Sequence, residues 1–112
     1  RRKLLKQNVI SCSSVLIQRE LILKFSMPEE DGIHEDFATW LTILKNEKIE
    51  AYGLDEPLLV YRVTRSSRSG NKCKAACMTF RAYRYIGLSL IKSVQSWLVY
   101  SFRSIRKYAK IR

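Results

Sequence analysis

The residues of this sequence with the clearest capacity for chemistry are two neighbouring carboxylates, Glu35 and Asp36, preceded by His34. They open a segment whose apolar residues recur at the spacing of one buried helix face: Phe37, Trp40, Leu41 and Leu44. A carboxylate in the first turn of a helix is stabilised by unpaired backbone N–H groups and by the helix dipole. Such a group can also face a cleft and accept a proton from a hydroxyl as a general base. On position alone, an acidic helix start that only stabilises its helix is the commoner case.

A second chemically capable segment is the loop of residues 64–72, which is rich in hydroxyl and basic side chains. Ser67, Ser69 and Lys72 lie in it, and such groups donate hydrogen bonds to phosphate oxygens. A solvated linker has the same composition. The residues alone leave the phosphate-binding loop and the linker equally open.

The elements that must position these residues follow from the apolar pattern. Small and β-branched residues over 9–17 indicate a buried strand, and Pro57 suits the first residue of another. We predict strands over residues 9–17, 49–52 and 58–63 and helices over residues 19–25 and 35–45. This order predicts an α/β fold with few strands and several helices.

The chain is predicted to be helical from Lys74 to its end, with a break or bend at Gly87. Beyond Gly87 a stripe recurs at i, i+3 and i+4 spacing: Leu90, Ile91, Val94, Trp97, Leu98, Ser101, Phe102, Ile105 and Tyr108. Lysines and arginines flank it, which makes the last helix cationic and amphipathic. Such a helix can lie in a membrane interface. The alternative is an ordinary helix whose stripe packs on the domain.

Charge is distributed unevenly along the 112 residues. Residues 1–56 hold all ten acidic residues and eight Lys/Arg, whereas residues 57–112 hold thirteen Lys/Arg and no acid. The basic half favours partners that carry phosphate, namely nucleic acid, a nucleotide sugar or an anionic membrane. No apolar run is long enough to span a bilayer, and the first residues lack the apolar core of a secretory signal.

Cys12, Cys73 and Cys77 show no disulfide-scaffold spacing, and one His leaves few soft ligands for a zinc site. We therefore expect reduced, buried thiols and no metal held by cysteine.

Taken in order, these motifs resemble family 2 glycosyltransferases, and more narrowly the C-terminal portion of the bacterial enzymes of cell-surface polysaccharide synthesis. The resemblance covers about residues 7–108. It is carried by Ser13-Ser14, His34-Glu35-Asp36, Trp40-Leu41, Glu56-Pro57-Leu58, Tyr61-Arg62 and the loop of Ser67, Ser69, Asn71 and Lys72. It implies the C-terminal part of a GT-A fold, the Rossmann-like fold of nucleotide-diphospho-sugar transferases.

For the catalytic step, the resemblance implies an inverting glycosyltransferase in which Asp36 is the general base. Asp36 would take the proton of an acceptor hydroxyl as that oxygen attacks the anomeric carbon, opposite the nucleoside diphosphate. Glu35 would orient or tune it. His34 and Trp40 are implied to contact the substrates, with a packing role for His34 equally open.

For the leaving group, the resemblance implies that Arg62, Ser67, Ser69 and Lys72 contact the diphosphate. Thr64 stands where many relatives have a His, which departs from the family pattern.

The largest departure is the absence of an Asp-x-Asp motif and of a Gly-rich strand–turn–helix segment. The resemblance implies Mg²⁺ or Mn²⁺ in the complete enzyme, with its ligands outside this chain. We expect residues 1–72 to form the acceptor-side part and residues 73–112 a basic helical segment. A missing N-terminal half would bind the nucleotide sugar, so the chain alone is expected to be inactive. The expected location is the cytoplasm, at the inner face of the membrane if the last helix binds lipid.

Two alternatives stay open. One is a non-catalytic basic module that binds an anionic membrane surface or nucleic acid. Nucleic acid is the less favoured of these, since Tyr83, Tyr85 and Trp97 sit at helical packing spacing instead of forming a stacking platform. The other is a truncated reading frame without a function of its own.

Overall fold

The computed structural model describes residues 1–46, 48–67 and 70–111, and within them all repetitive secondary structure is helical. A single 3-10 turn, Cys12–Ser14, lies between the first two helices. In chain order the α-helices are α1 (Arg2–Lys6), α2 (Arg19–Lys24), α3 (Glu35–Ile43), α4 (Lys72–Tyr85) and α5 (Leu90–Ile111).

The predicted α/β fold, and with it the C-terminal part of a GT-A fold, is therefore wrong for this structure. Residues 9–17, predicted as a buried strand, contain a local turn in which several backbone groups are hydrogen-bonded to near neighbours in the chain. The Asn8 side chain accepts from the Ile10 N–H at 3.2 Å, and Ser14 donates to the Ser11 carbonyl through both its N–H and its Oγ. Short polar side chains compete in this way with a sheet ladder, which leaves a 3-10 turn in place of a strand.

The other two predicted strands, residues 49–52 and 58–63, are also absent. Residues 50–67 are exposed throughout, and Val60 is 96% accessible. A strand exists only when a neighbouring strand accepts its N–H groups and donates to its carbonyls. Within the described residues no such neighbour is present, so the β-branched pattern alone forms no sheet.

Helix α3 forms the centre of the core, as its apolar spacing predicts. Phe37, Trp40 and Leu41 are each at most 5% accessible. The core cluster joins residues from α1, α3 and α4: Leu4, Phe37, Ala38, Trp40, Leu41, Ile43, Ala82 and Tyr83. The predicted acceptor-side and basic segments thus contribute to one shared core.

Helix α4 begins at a capped end and stops at a glycine. The Asn71 side chain accepts from the Lys74 N–H at 3.1 Å, which satisfies one of the unpaired donors of the first turn. After the last helical residue, Gly87 adopts φ +83°, a left-handed conformation that glycine accepts without strain. The break predicted at Gly87 is confirmed.

The aromatic contacts between helices fix how α4 and α5 lie on α3. The Phe37 ring centroid is 5.8 Å from that of Tyr83 and 5.6 Å from that of Tyr100. The Tyr83 hydroxyl donates to the Leu5 carbonyl at 2.5 Å, and the Trp97 indole N–H donates to the Ala76 carbonyl at 2.8 Å. These bonds tie α4 to the end of α1 and α5 to α4.

Helix α5 packs inward through a face that the apolar stripe predicted only in part, since Trp97 belongs to the stripe and Ser93 and Tyr100 do not. Ser93 is fully buried, and Trp97 and Tyr100 are half-buried against the core. Most aliphatic residues of the predicted stripe point outward instead, as do Phe102 and Ile105. Small serine side chains let the helix approach its neighbours closely, so the bulky residues remain on the other side.

Neither α5 nor any other described helix is both long and apolar enough to cross a membrane.

Cys12, Cys73 and Cys77 are free and exposed, so the expectation of buried thiols is wrong. Their positions on the turn and on the outer side of α4 explain the exposure.

The hydrogen bond from Tyr83 to Leu5 predicts a measurable loss of stability in Tyr83→Phe. The variant leaves the Leu5 carbonyl without its partner, and we expect the free energy of unfolding to fall by about 1–2 kcal/mol. Denaturant unfolding of both proteins, with the half-exposed Tyr85→Phe as the control, measures it. Identical midpoints for Tyr83→Phe and the wild type would contradict the assignment.

The same pair of proteins should differ in their response to alkaline pH. Burial, and to a lesser extent Tyr100, raises the pKa of Tyr83 above its ordinary value. The unfolded chain releases this proton near pH ~10, whereas the folded chain keeps it. The stability that Tyr83 confers is therefore complete below that pH and declines above it. We expect the difference in the free energy of unfolding between the wild type and Tyr83→Phe to become smaller as the pH rises past ~10. A difference that stays constant with pH would contradict this prediction.

Candidate active site

The acidic pair is placed by a tight turn that precedes α3. Gly32 has φ +82°, and a Cβ built on it would lie 2.5 Å from Nη1 of Arg81 on α4. The next residue, Ile33, is only 2% accessible and anchors the turn in the protein interior. The position therefore needs glycine for its backbone conformation, whereas the guanidinium at the end of the flexible Arg81 side chain can shift to admit a Cβ.

His34 links the start of α3 to α4. Its Nε2 lies 3.3 Å from the Ala75 carbonyl oxygen, so the imidazole donates the Nε2 proton to that oxygen. The Thr79 hydroxyl donates to the same carbonyl at 3.0 Å. The histidine thus holds the N-terminus of α3 against the first turns of α4. This is the packing role that the sequence left open as an alternative to substrate contact.

Asp36 is half-buried in the first turn of α3, and its Oδ1 accepts from the Phe37 N–H at 2.7 Å. This is a local contact that fixes the carboxylate. Within the described residues it is the hydrogen bond that Asp36 makes, and it leaves the second oxygen, Oδ2, available to accept a proton.

Glu35, and not Asp36, lines the open cavity beside the helix start. The cavity has a volume of about 400 Å³ and is bordered by the polar loop before α3 and by α4: Pro28, Glu29, Glu30, Asp31, Gly32, Glu35, Lys74 and Met78. Four carboxylates and one lysine make it predominantly acidic. Its lining offers oxygen acceptors for the hydroxyl groups of a sugar.

Asp36 lies near enough to Cys12 and Tyr100 for its charge to influence their pKa values. Burial raises the pKa of the Cys12 thiol, and the negative charges of Asp36 and then Glu35 raise it further. Burial also raises the pKa of Tyr100, with smaller contributions from Tyr108 and Asp36 in the same direction. Contacts with the Asn8 backbone and the Thr79 side chain act in the opposite direction.

Among the predicted substrate-binding residues, Trp40 lies in the core at 5% accessibility. Its indole N–H has no hydrogen-bond partner among the described residues. Arg62 lies on the exposed segment of residues 50–67, away from the packed helices. The structure thus places neither side chain in the lining of the cavity beside Glu35.

The predicted phosphate-binding loop is described only in part. Ser67 donates from its Oγ to the Thr64 carbonyl at 2.8 Å and forms a local turn. Ser69 lies outside the described residues. Lys72 begins α4, and its ammonium sits 3.5 Å from the ring centroid of Tyr108 on α5. The structure therefore brings together His34, Glu35 and Asp36 of the predicted site.

The divalent metal implied by the resemblance finds no ligand set in the described part of the chain. No three His, Cys, Asp or Glu side chains converge there closely enough to hold a metal ion. Mg²⁺ or Mn²⁺ stays a prediction that concerns ligands outside this chain.

The structure adds residues that the sequence reasoning missed. Lys74 borders the cavity, and Tyr100 and Cys12 lie near Asp36. Glu29, Glu30 and Asp31 also line the cavity, although no motif of the sequence singled them out. Their density immediately before an acidic helix start was the one signal that could have marked them as a cavity wall.

The comparisons with known proteins show which class of proteins the chain is similar to. No family model and no solved structure matches the chain. Three curated proteins do match, and all are bacterial glycosyltransferases. They confirm the resemblance: the chain is similar to a part of glycosyltransferases of bacterial cell-surface polysaccharide synthesis.

One relative is TuaG of Bacillus subtilis, which is named as a putative teichuronic acid biosynthesis glycosyltransferase. It is 38% identical to this chain over 104 residues, which cover 92% of this chain and 40% of TuaG. An uncharacterised glycosyltransferase of Haemophilus influenzae is 32% identical over 96% of this chain and 42% of its own length. WfgD of Escherichia coli, named as a UDP-Glc:alpha-D-GlcNAc-diphosphoundecaprenol beta-1,3-glucosyltransferase, is 41% identical over 64% of this chain and 28% of WfgD. The chain thus spans well under half the length of these relatives.

The turn before α3 predicts that Gly32→Ala destabilises the protein. A side chain at φ +82° is strained by about 1–2 kcal/mol, and the Arg81 guanidinium must also move. We expect the free energy of unfolding to fall by at least this amount, measured by denaturant unfolding. Gly53→Ala is the matched control, since a Cβ there meets nothing within 4 Å. Equal effects of the two substitutions would refute the role of the turn.

Proposed function

We propose that this chain is the acceptor-side part of an inverting family 2 glycosyltransferase, in which a carboxylate of the Glu35–Asp36 pair is the general base. The observation that carries the proposal is the arrangement at the start of α3. Both carboxylates are half-buried in the first turn of α3, and Glu35 of the pair lines a polar cavity. The similarity to glycosyltransferases over 92% of the chain supports it.

Asp36 is the proposed base. The Phe37 N–H occupies Oδ1 and fixes the carboxylate, so Oδ2 can take the proton of the acceptor hydroxyl. As the proton leaves, the hydroxyl oxygen attacks the anomeric carbon and the bond to the nucleoside diphosphate breaks. Attack from the opposite face inverts the configuration. Glu35 and Lys74, which line the cavity, would bind hydroxyl groups of the acceptor sugar.

The nucleotide sugar would be held mainly by a part of the enzyme that this chain does not contain. The chain spans 28–42% of its three relatives, and it lacks an Asp-x-Asp motif. When bound there, Mg²⁺ or Mn²⁺ would supply charge neutralisation at the diphosphate. From this chain, the proposed diphosphate contacts are the exposed residues Arg62, Ser67 and Lys72 together with Ser69, which lies outside the described residues, because cations and hydroxyls suit that group.

The proposed donor is a nucleotide-diphospho-sugar, and the proposed acceptor is a saccharide or a lipid-linked saccharide. WfgD, by its name, transfers glucose from UDP-Glc to a GlcNAc carried on diphosphoundecaprenol. By similarity we place the reaction of the complete protein in this class and in the cytoplasm.

A nucleic-acid function has less support, since Tyr83 is fully buried and the Trp97 indole N–H is hydrogen-bonded to the Ala76 carbonyl.

A chimera tests the role of the acidic pair. This chain replaces the segment of WfgD that it matches, and release of UDP from UDP-glucose is measured with the GlcNAc-diphospholipid acceptor. Asp36→Asn should lower turnover by about 10²–10⁴-fold, the usual contribution of a general base, with nucleotide-sugar affinity unchanged. Glu35→Gln should have a smaller effect that appears mainly in acceptor KM.

The control for charge removal is Asp55→Asn, on the exposed segment, which should leave turnover unchanged. Abolished turnover in Glu35→Gln with turnover retained in Asp36→Asn would reassign the base to Glu35, which faces the cavity. Turnover retained in both variants would end the catalytic proposal.

A further inference from the structure

The outer side of α5 carries an apolar face that nothing in the described chain covers. We define this outer face by Ile91, Val94, Leu98, Phe102 and Ile105, which are 71%, 40%, 57%, 62% and 69% accessible. Their spacing of three, four, four and three residues keeps them on one side of a helix. An uninterrupted exposed stripe along a 22-residue helix is unusual for a protein surface and marks an interaction site.

A row of cations runs beside the outer face. Lys92, Arg103, Arg106 and Lys110 are exposed, and their spacings of eleven, three and four residues return them to one side of α5. Arg106 lies 5.9 Å from the ring centroid of Phe102, so the cation row directly borders the apolar stripe. Helix α5 has no acidic residue to neutralise it.

We propose that α5 docks on the surface of an anionic lipid bilayer. The outer face would enter the boundary between headgroups and acyl chains, and the cation row would contact the lipid phosphates. The helix lies on the bilayer and does not span it, in line with its mixed polar and apolar surface. This surface is separate from the cavity beside Glu35 and does not depend on the proposed reaction.

The charge pattern favours a bilayer over a second copy of the chain as the occupant of the outer face. A second copy of the chain seated face to face would bring two unneutralised cation rows together. A bilayer supplies an apolar layer bordered by negative charge along the whole length of α5, about 33 Å for 22 residues. Residues 57–112 contribute thirteen basic residues and no acid, which adds attraction to anionic headgroups.

The inward side of α5 explains why the outer face stays available. Ser93 is fully buried, Trp97 donates to Ala76, and Tyr100 packs against Phe37. These contacts hold the helix to the domain through small and aromatic side chains. Docking on a membrane therefore requires no rearrangement of the core.

Flotation with lipid vesicles tests the proposal on the wild-type chain. We expect the protein to float with vesicles of phosphatidylglycerol and phosphatidylethanolamine and to remain unbound with phosphatidylcholine vesicles. Leu98→Glu/Phe102→Glu should reduce the bound fraction at least tenfold. The matched control is Leu58→Glu/Tyr61→Glu, which places the same charges on side chains that are 74% and 65% accessible elsewhere, and it should bind more strongly than the α5 variant.

A second variant addresses the cation row without disturbing the apolar face. Arg103→Gln/Arg106→Gln should lower the partition coefficient on anionic vesicles about fivefold for each charge removed, equivalent to about 1 kcal/mol each. Circular dichroism and denaturant unfolding confirm that each variant folds. Asp36→Asn should float like the wild type, which separates this proposal from the catalytic one.

Three results would overturn the proposal. They are no flotation of the wild type with anionic vesicles, equal flotation of the wild type and Leu98→Glu/Phe102→Glu, and self-association that depends on Leu98 and Phe102. The same comparison in the WfgD chimera shows whether the outer face stays exposed in a complete enzyme. Loss of flotation there would assign the face to the rest of the glycosyltransferase and not to lipid.

Discussion

The contact on which the structure most depends is the cluster of three rings formed by Phe37, Tyr83 and Tyr100. Each ring comes from a different helix, α3, α4 or α5, and the centroids adjacent to Phe37 lie within 6 Å. Because Tyr83 also binds the Leu5 carbonyl, the cluster extends to the end of α1. Phe37 directly follows the acidic pair, so this packing fixes where the carboxylates point.

Because Phe37 is fixed in the core, the carboxylates of Glu35 and Asp36 point in different directions and have different surroundings. Successive residues on a helix differ in direction by about 100°. With Phe37 committed to the core, Glu35 borders the cavity while Asp36 bonds to the Phe37 N–H and lies near Tyr100. The resemblance predicted a base and a neighbour in one acidic pair. The structure adds a physical distinction between them, namely an open polar environment for one and a partly enclosed, hydrogen-bonded one for the other.

In helix α5, the side that packs into the core is not the side with the most aliphatic residues. Its bulky aliphatic residues suggest a face for the core, yet the core receives Ser93, Trp97 and Tyr100. Close approach requires small side chains at the contact, and the aromatic residues supply both area and hydrogen bonds. The aliphatic face remains outside, beside a row of cations, and it becomes the feature that relates the chain to a membrane surface.

The sequence by itself determined the features that depend on near neighbours in the chain. Helical periodicity located α3, α4 and α5, the left-handed glycine placed the break at Gly87, and the motif order predicted the similarity to glycosyltransferases. The predicted strands failed because a strand is completed by hydrogen bonds to a distant segment, and the described chain provides none. Only the tertiary structure decided which side of α5 is buried and which carboxylate lines the cavity. Periodicity shows that a helix has an apolar side, but the shapes and polar partners of the neighbouring helices select the side that packs.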